Sequence, residues 1–208
     1  MLGGVAAEAA RLFGGRTAYV AGEERLTYAE LDRRSDEVAA GLVARGVGPG
    51  DVVALVLPTA LEYPICYLAA AKVGAVTAGI NTKLAPAERA VLVDLVTPRL
   101  VIEDASEVAR IAVSGEAPAR LPDDPECPVA IVFTSGTTGR PKGAVFAGRQ
   151  LAAIRGIDVG DQWGSGGASL TGTSLANLGF MTKFAGGLQA GGTSYFMSRW
   201  RPADALRD

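Results

Sequence analysis

The feature that most restricts the fold is VVALVL (52–57), six β-branched, Leu or Ala residues with no polar side chain among them. A run of this kind suits a strand buried on both faces, which needs a sheet covered by helices on each side. Its neighbours fit that architecture. Thr27 and Glu30 have the T-x-x-E spacing of a capping box, which predicts a helix from there to about Arg45. Leu31, Val38 and Leu42 share one face of it, and Gly46 supplies a left-handed stop. A second helix is predicted over 63–73, with Pro64 in its first turn, where a missing N–H does no harm. A strand near 75–80, a helix opening at Pro86 and running to about Val96, and a strand over 99–103 continue the alternation. Strand–helix–strand repetition implies an α/β fold with mainly parallel sheets and helices on both faces.

Residues 114–128, SGEAPARLPDDPECP, hold four of the eleven prolines and no periodicity, and read as a Pro-rich connection. They divide the sequence into an α/β part over 1–113 and a second part over 129–208. The second part begins with the strand VAIVF (129–133), a polar loop and the strand AVF (144–146). A helix around 149–156, a loop over 160–167 and a short strand ASLTG come next. A helix over 174–188 capped by Ser174, a strand TSYFM (193–197) and a helix opening at Pro202 complete the reading.

Composition narrows the function. Hydrophobic residues make up 49% of the 208 positions and charged residues 20%, with a formal net charge of −2 and no long basic run. That excludes an electrostatic footprint for nucleic acid and points to small ligands. The N-terminal MLGGVAAEAARLF carries Glu8 and no leading positive charge, unlike a secretory signal. No apolar run reaches the ~20 residues of an integral membrane segment, so a cytoplasmic location is expected. Cys66 and Cys127 are far apart, and there is no His, so the pair reads as two buried thiols and no metal ligand set is predicted.

The loop TSGTTGRPKG (134–143) holds three Gly, three Thr, one Ser and one Lys. Glycine lets backbone N–H groups turn toward an anion, hydroxyls add short donors, and Lys supplies a full charge for phosphate oxygens. A Walker A loop counted from Gly136 would need Gly at 141 and Ser or Thr at 143, where Pro141 and Gly143 stand, so that pattern is rejected. Two readings remain on the residues alone: a phosphate-binding loop, or a polar hairpin longer than the usual two to five residues.

TSGTTGRPKG resembles the phosphate-loop signature of the AMP-forming adenylating superfamily, [ST]-S-G-[ST]-T-G-x-P-K-G, at every constrained position. That superfamily comprises acyl-CoA synthetases, luciferases and peptide-synthetase adenylation domains. RLTYAELDRRSDEVAAGLVARGVGPGDVVALVLP, LAAAKVGAVTAGINTKLAPAE and LQAGGTSYFMSRWRPADAL are similar to further family segments in the same order, so the likeness covers nearly the whole chain. It implies the N-terminal part of the large domain of an acyl-CoA synthetase-like ligase of the kind used in fatty acid metabolism. GINTKLAPAE is closer to acyl-CoA ligases than to amino-acid adenylation domains.

The resemblance implies that a small-molecule carboxylic acid attacks the α-phosphorus of ATP, giving an acyl-adenylate and pyrophosphate, and that the acyl group then passes to the thiol of coenzyme A. Thr134, Ser135, Gly136, Thr137, Thr138 and Gly139 would wrap the β- and γ-phosphates, and Lys142, the catalytic cation, would act with Mg2+ on the departing pyrophosphate. Arg140 falls on a variable position. Where the family often has F-H-x-x-G, bordering the acyl pocket, this chain has Leu175, Ala176, Asn177, Leu178 and Gly179, and the His often found after the loop is replaced by Gly148. Leu170, Leu175, Leu178, Phe180 and Met181 around that stretch, with no acidic residue among them, suit an apolar acid. Relatives are more than twice as long, and their Mg2+-holding acidic residue, ribose-binding Asp and mobile C-terminal domain lie beyond residue 208. The alternative is therefore a truncated, non-catalytic fragment or pseudoenzyme acting through binding. An unpaired sheet edge at TSYFM and an uncovered face on the helix 174–188 are expected, with self-association or a partner chain there.

Overall fold

The computed structural model describes residues 2–134 and 141–197. The VVALVL run does become a buried strand, β3 (Val52–Leu55), in which Val53, Ala54 and Leu55 are fully buried. It lies in a five-stranded sheet with β4 (Val76–Gly79), β5 (Leu100–Ile102), β6 (Pro128–Thr134) and β7 (Lys142–Ala147), in the order β5-β3-β4-β6-β7. All pairs are parallel except the β6–β7 hairpin. A four-stranded sheet has the order β2-β1-β9-β8, with β1 (Thr17–Ala21), β2 (Glu24–Thr27), β8 (Ala168–Thr171) and β9 (Thr193–Phe196). Here β1 and β2 are antiparallel, and β9 runs parallel to both β1 and β8. Each sheet combines strands from before and after 114–128.

The capping box is present as expected. Glu30 N donates to Thr27 Oγ1 at 3.2 Å, and Thr27 N donates to Glu30 Oε2 at 2.8 Å, opening α2 (Tyr28–Ala44). Gly46 follows α2 at φ +75°, in the left-handed region. The helix α3 (Glu62–Lys72) is buried nearly all round because other helices, α1 and α2 among them, pack on it as well as β3 and β4, unlike an amphipathic surface helix. Pro86 opens α4 (Pro86–Val96), and α6 (Gly148–Val159) follows the hairpin.

The structure adds elements that the sequence reading left out. Leu2, Ala6, Ala9 and Phe13 recur at helical spacing and form the buried face of α1 (Leu2–Phe13). The β1–β2 hairpin follows it. A short helix α5 (Ala105–Ile111) is capped by Asp104, whose Oδ1 accepts from Ser106 N at 2.7 Å.

Three expectations are corrected. The helix read as 174–188 is α7 (Leu178–Ala190), and its cap is Asn177, whose Oδ1 accepts from Phe180 N at 3.1 Å. Ser174 Oγ instead accepts from Ala176 N at 3.3 Å, holding a turn ahead of the helix. TSYFM is not an edge: β9 is central, because β1 pairs on one side of it and β8 on the other. The exposed edges among the described strands are β2, β8, β5 and β7. The α7 face is likewise covered, with Met181, Phe184, Ala185 and Leu188 in the core. Finally, Cys66 is buried but Cys127 is partly exposed, in the coil that leads into β6. Burial pushes the thiol pKa up at both, and at Cys127 the Asp124 charge adds to it. The helix expected at Pro202 lies outside the described residues.

Aromatic packing ties the four-stranded sheet to α3 and α7. Tyr19, Tyr63, Tyr67, Phe180, Phe184 and Phe196 form a chain of ring contacts with centroids 5.1–6.3 Å apart. Tyr67 Oη donates to the Met181 carbonyl at 2.7 Å, and burial holds its pKa far above the ordinary phenol value. No helix among the described residues is long and apolar enough to cross a membrane.

Candidate active site at the β6–β7 hairpin

The last pair of the hairpin sets Thr134 opposite Lys142. Both side chains are exposed, and Thr134 Oγ1 donates to the Lys142 carbonyl at 3.5 Å, so the two ends of the ten-residue loop are held together. Lys142 makes no ion pair among the described residues. Gly143 lies close against β6: a Cβ there would stand 2.8 Å from Ile131 Cγ2, so that side chain or the strand would have to shift. Ser135, Gly136, Thr137, Thr138, Gly139 and Arg140 lie outside the described residues.

Beside the loop ends is a cavity of ≈ 640 Å³. Thr134 and Pro141 line it from the hairpin, and Ala176 and Asn177 line it from the turn before α7. These were read from separate stretches of sequence, and tertiary packing brings them to one place. Lys142 follows directly on Pro141. Leu175, in contrast, is 1% exposed and belongs to the core. Gly179 lines a second, wider cavity of ≈ 1060 Å³ on the other side of the same turn, with Leu170, Phe180 and Lys183. Asn177 and Leu178 line both, so the turn is the wall between them. Asn177 is fixed from two sides, since its Nδ2 donates to Thr173 Oγ1 at 2.9 Å while its Oδ1 caps the helix.

A further part of the smaller cavity's lining was missed in the sequence. Gly79, Asn81, Leu84, Glu88, Val91 and Leu92 come from the end of β4, the turn after it and α4. Two hydrogen bonds shape this part: Asn81 Oδ1 accepts from Lys83 N at 3.0 Å, and Glu88 Oε2 accepts from Ala85 N at 2.8 Å. The signal available was the N-x-K turn at 81–83 followed by A-P-A-E, a turn and helix start at the end of a buried strand. Val132, Phe133, Leu84, Leu92, Ala176 and Leu178 give the cavity an apolar surface, with Glu88 its one carboxylate among the described residues. No three His, Cys, Asp or Glu side chains converge among the described residues.

Comparison with known proteins supplies the deciding observation: the profile of AMP-binding enzymes matches residues 6–208. The chain belongs to the AMP-binding enzyme family. Among its AMP-binding relatives, a fatty acid–[acyl-carrier-protein] ligase of Streptomyces coeruleorubidus is 33% identical over 88% of this chain, and a 4-chlorobenzoate–CoA ligase of an Arthrobacter species is 30% identical over 88%. The chain spans 41% and 40% of the lengths of these two ligases. Among solved AMP-binding folds, the N-terminal subdomain of Klebsiella oxytoca NpsA, in complex with 3-hydroxyanthranilyl-AMSN, superposes with a TM-score of 0.84 at 21% identity, over 98% of this chain and 55% of that one. An inhibitor-bound N-terminal domain of FACL13 from Mycobacterium tuberculosis gives a TM-score of 0.80 at 25% identity, over 99% and 59%.

Proposed function

We infer that this chain forms the nucleotide- and acid-gripping part of an AMP-forming acid–thiol ligase. The observation that carries the reading is the convergence of Thr134 and Pro141, which flank the loop signature, with Ala176 and Asn177 at one cavity. In the proposed reaction a carboxylate oxygen of the acid bonds to the α-phosphorus of ATP as the bond from that phosphorus to the bridging oxygen breaks, and pyrophosphate leaves. A thiol, that of coenzyme A in this reading, then displaces AMP from the acyl carbon and loses its proton to solvent. The carboxylate is already a nucleophile, so the first step needs charge relief and alignment rather than a base.

The residues in place fit a polyanion. Lys142, which makes no ion pair among the described residues, stands at the start of β7, and Thr134 is its partner in the register. Lys142 would screen the approach of one anion to another and neutralise the leaving pyrophosphate. Mg2+ would supply further charge on the phosphates, and we assign it no residue of this chain. The apolar walls from Leu84, Leu92, Val132, Phe133 and Leu178 would take the acid's hydrocarbon or aryl part. Glu88 is engaged at the start of α4, which makes it a poor partner for a substrate ammonium.

Calorimetric titration of the chain with Mg·ATP, and with non-hydrolysable acyl-adenylate sulfamates, tests this reading. Binding of ATP, and tighter binding of alkanoyl or aroyl sulfamates than of aminoacyl ones, is expected. Preference for aminoacyl sulfamates contradicts the apolar acid, and absence of ATP binding contradicts the function.

A further inference from the structure

We propose that Gly79, at the end of β4, is a positioning residue for the acid: the absence of a side chain there seats the Leu175–Leu178 turn against the sheet and sets the shape of the acyl cavity. This rests on the ligase reading above. Gly79 is buried and lines the ≈ 640 Å³ cavity, and its register partners are Leu55 on β3 and Val132 on β6. Its φ is not in the left-handed region, so the requirement for glycine is one of space rather than backbone conformation.

A Cβ at this position would stand 2.6 Å from Tyr63 Oη, 2.6 Å from Met181 Sδ and 3.0 Å from Ala176 Cα. None of these neighbours can retreat easily. Tyr63 and Met181 are both 0% exposed. Tyr63 Oη donates to Met181 Sδ at 3.6 Å, and its ring meets Phe180 edge-on at 5.8 Å. Tyr67 Oη holds the Met181 carbonyl from the α3 side. Relief by side-chain rotation alone is therefore blocked, and the strain falls on the first turn of α7 and the chain just before it, which would have to shift as a unit away from β4. Ala176 and Asn177 would move with it, whereas Thr134 and Lys142 sit on the β6–β7 hairpin, no atom of which is among the three nearest to the new Cβ. Displacement at Gly79 should thus be felt by the acyl group and little by the nucleotide.

The test is titration of wild type, Gly79→Ala, and a triple variant combining Gly79→Ala with Tyr63→Phe and Met181→Val, which removes the two side-chain atoms that would stand 2.6 Å from the new methyl and leaves only the 3.0 Å approach to Ala176 Cα. Each is titrated with Mg·ATP and with the set of acyl-adenylate sulfamates. We expect Gly79→Ala to keep its ATP affinity within about threefold, to lose at least tenfold for the best sulfamate and to change the order of preference among acyl groups. The triple variant should recover most of that loss. A merely structural role would weaken both ligands together and leave the order unchanged. Gly79→Ala with the wild-type affinities and order, or a folded triple variant with no recovery, overturns the proposal, as does failure of both variants to fold. If wild type itself binds neither ligand, it is the ligase reading that fails; if wild type binds both and Gly79→Ala matches it, only the role of Gly79 falls.

Discussion

Lys142 is the residue on which the proposed chemistry leans most, and its surroundings give its removal a clean reading. It is exposed and makes no ion pair among the described residues, so Lys142→Ala removes no ion pair and no buried side chain there. A hydrogen bond to a charged group contributes about 1.5–3 kcal/mol, so the variant should bind Mg·ATP roughly 10- to 100-fold more weakly at unchanged melting temperature. Unchanged affinity would remove Lys142 from the site. That Lys142 and Thr134 close one loop was legible in the sequence because the loop signature spans them. Gly79, Asn81 and Glu88 were not, although they lie in the quoted stretch LAAAKVGAVTAGINTKLAPAE. Their role arises when β4 and α4 pack beside the turn at 174–178, almost a hundred residues away, and no local pattern records that contact. The state of Cys127 was hidden for the same reason, since its exposure depends on how the 114–128 coil lies on the fold.

Among the elements, helix starts were the most legible where side chain and backbone answer each other within four residues. The Thr27–Glu30 box is an example with a measurable contribution. Thr27→Ala should cost about 1 kcal/mol in denaturant unfolding. The backbone hydrogen bond from Thr27, followed by the one from its hydroxyl, lowers the Glu30 pKa below its ordinary value of 4.5. A depressed folded-state pKa means that the contribution is fully present above pH 4.5 and is lost as pH falls through the lowered value. The stability difference between wild type and Glu30→Gln should therefore shrink below that pH, and a difference that stayed constant down to full protonation would contradict the assignment. The start of α7 shows the limit of the same logic. Ser174 and Asn177 are both good capping residues, and the choice between them was settled by Asn177 reaching Phe180 N while Ser174 served the preceding turn. Asp104 and Glu107 carried a similar signature for α5 that could have been read. The four-residue strand β2 gave little periodicity to detect.

At the scale of the molecule, the α/β class and the mainly parallel pairing followed from the buried runs at β3, β4 and β6, but the division into two sheets did not. Strands β1 and β9 are separated by most of the sequence and still pair in register, Tyr19 against Ser194, and this long-range pairing is what turns the expected edge at TSYFM into a sheet centre. It also places α7 over the aromatic chain from Tyr19 to Phe196, so that the turn at Leu175–Leu178 is held by the core on one side and faces the hairpin across the cavity on the other. The central claim is that this one cavity holds the acid while the hairpin holds the phosphates. Crystallography of the chain with a non-hydrolysable alkanoyl- or aroyl-adenylate sulfamate tests it most directly. The account predicts density with the sulfamate beside Thr134 and the acyl group between Ala176 and the Val132–Phe133 strand. Density with the acyl group elsewhere, with that cavity left to solvent, would contradict it.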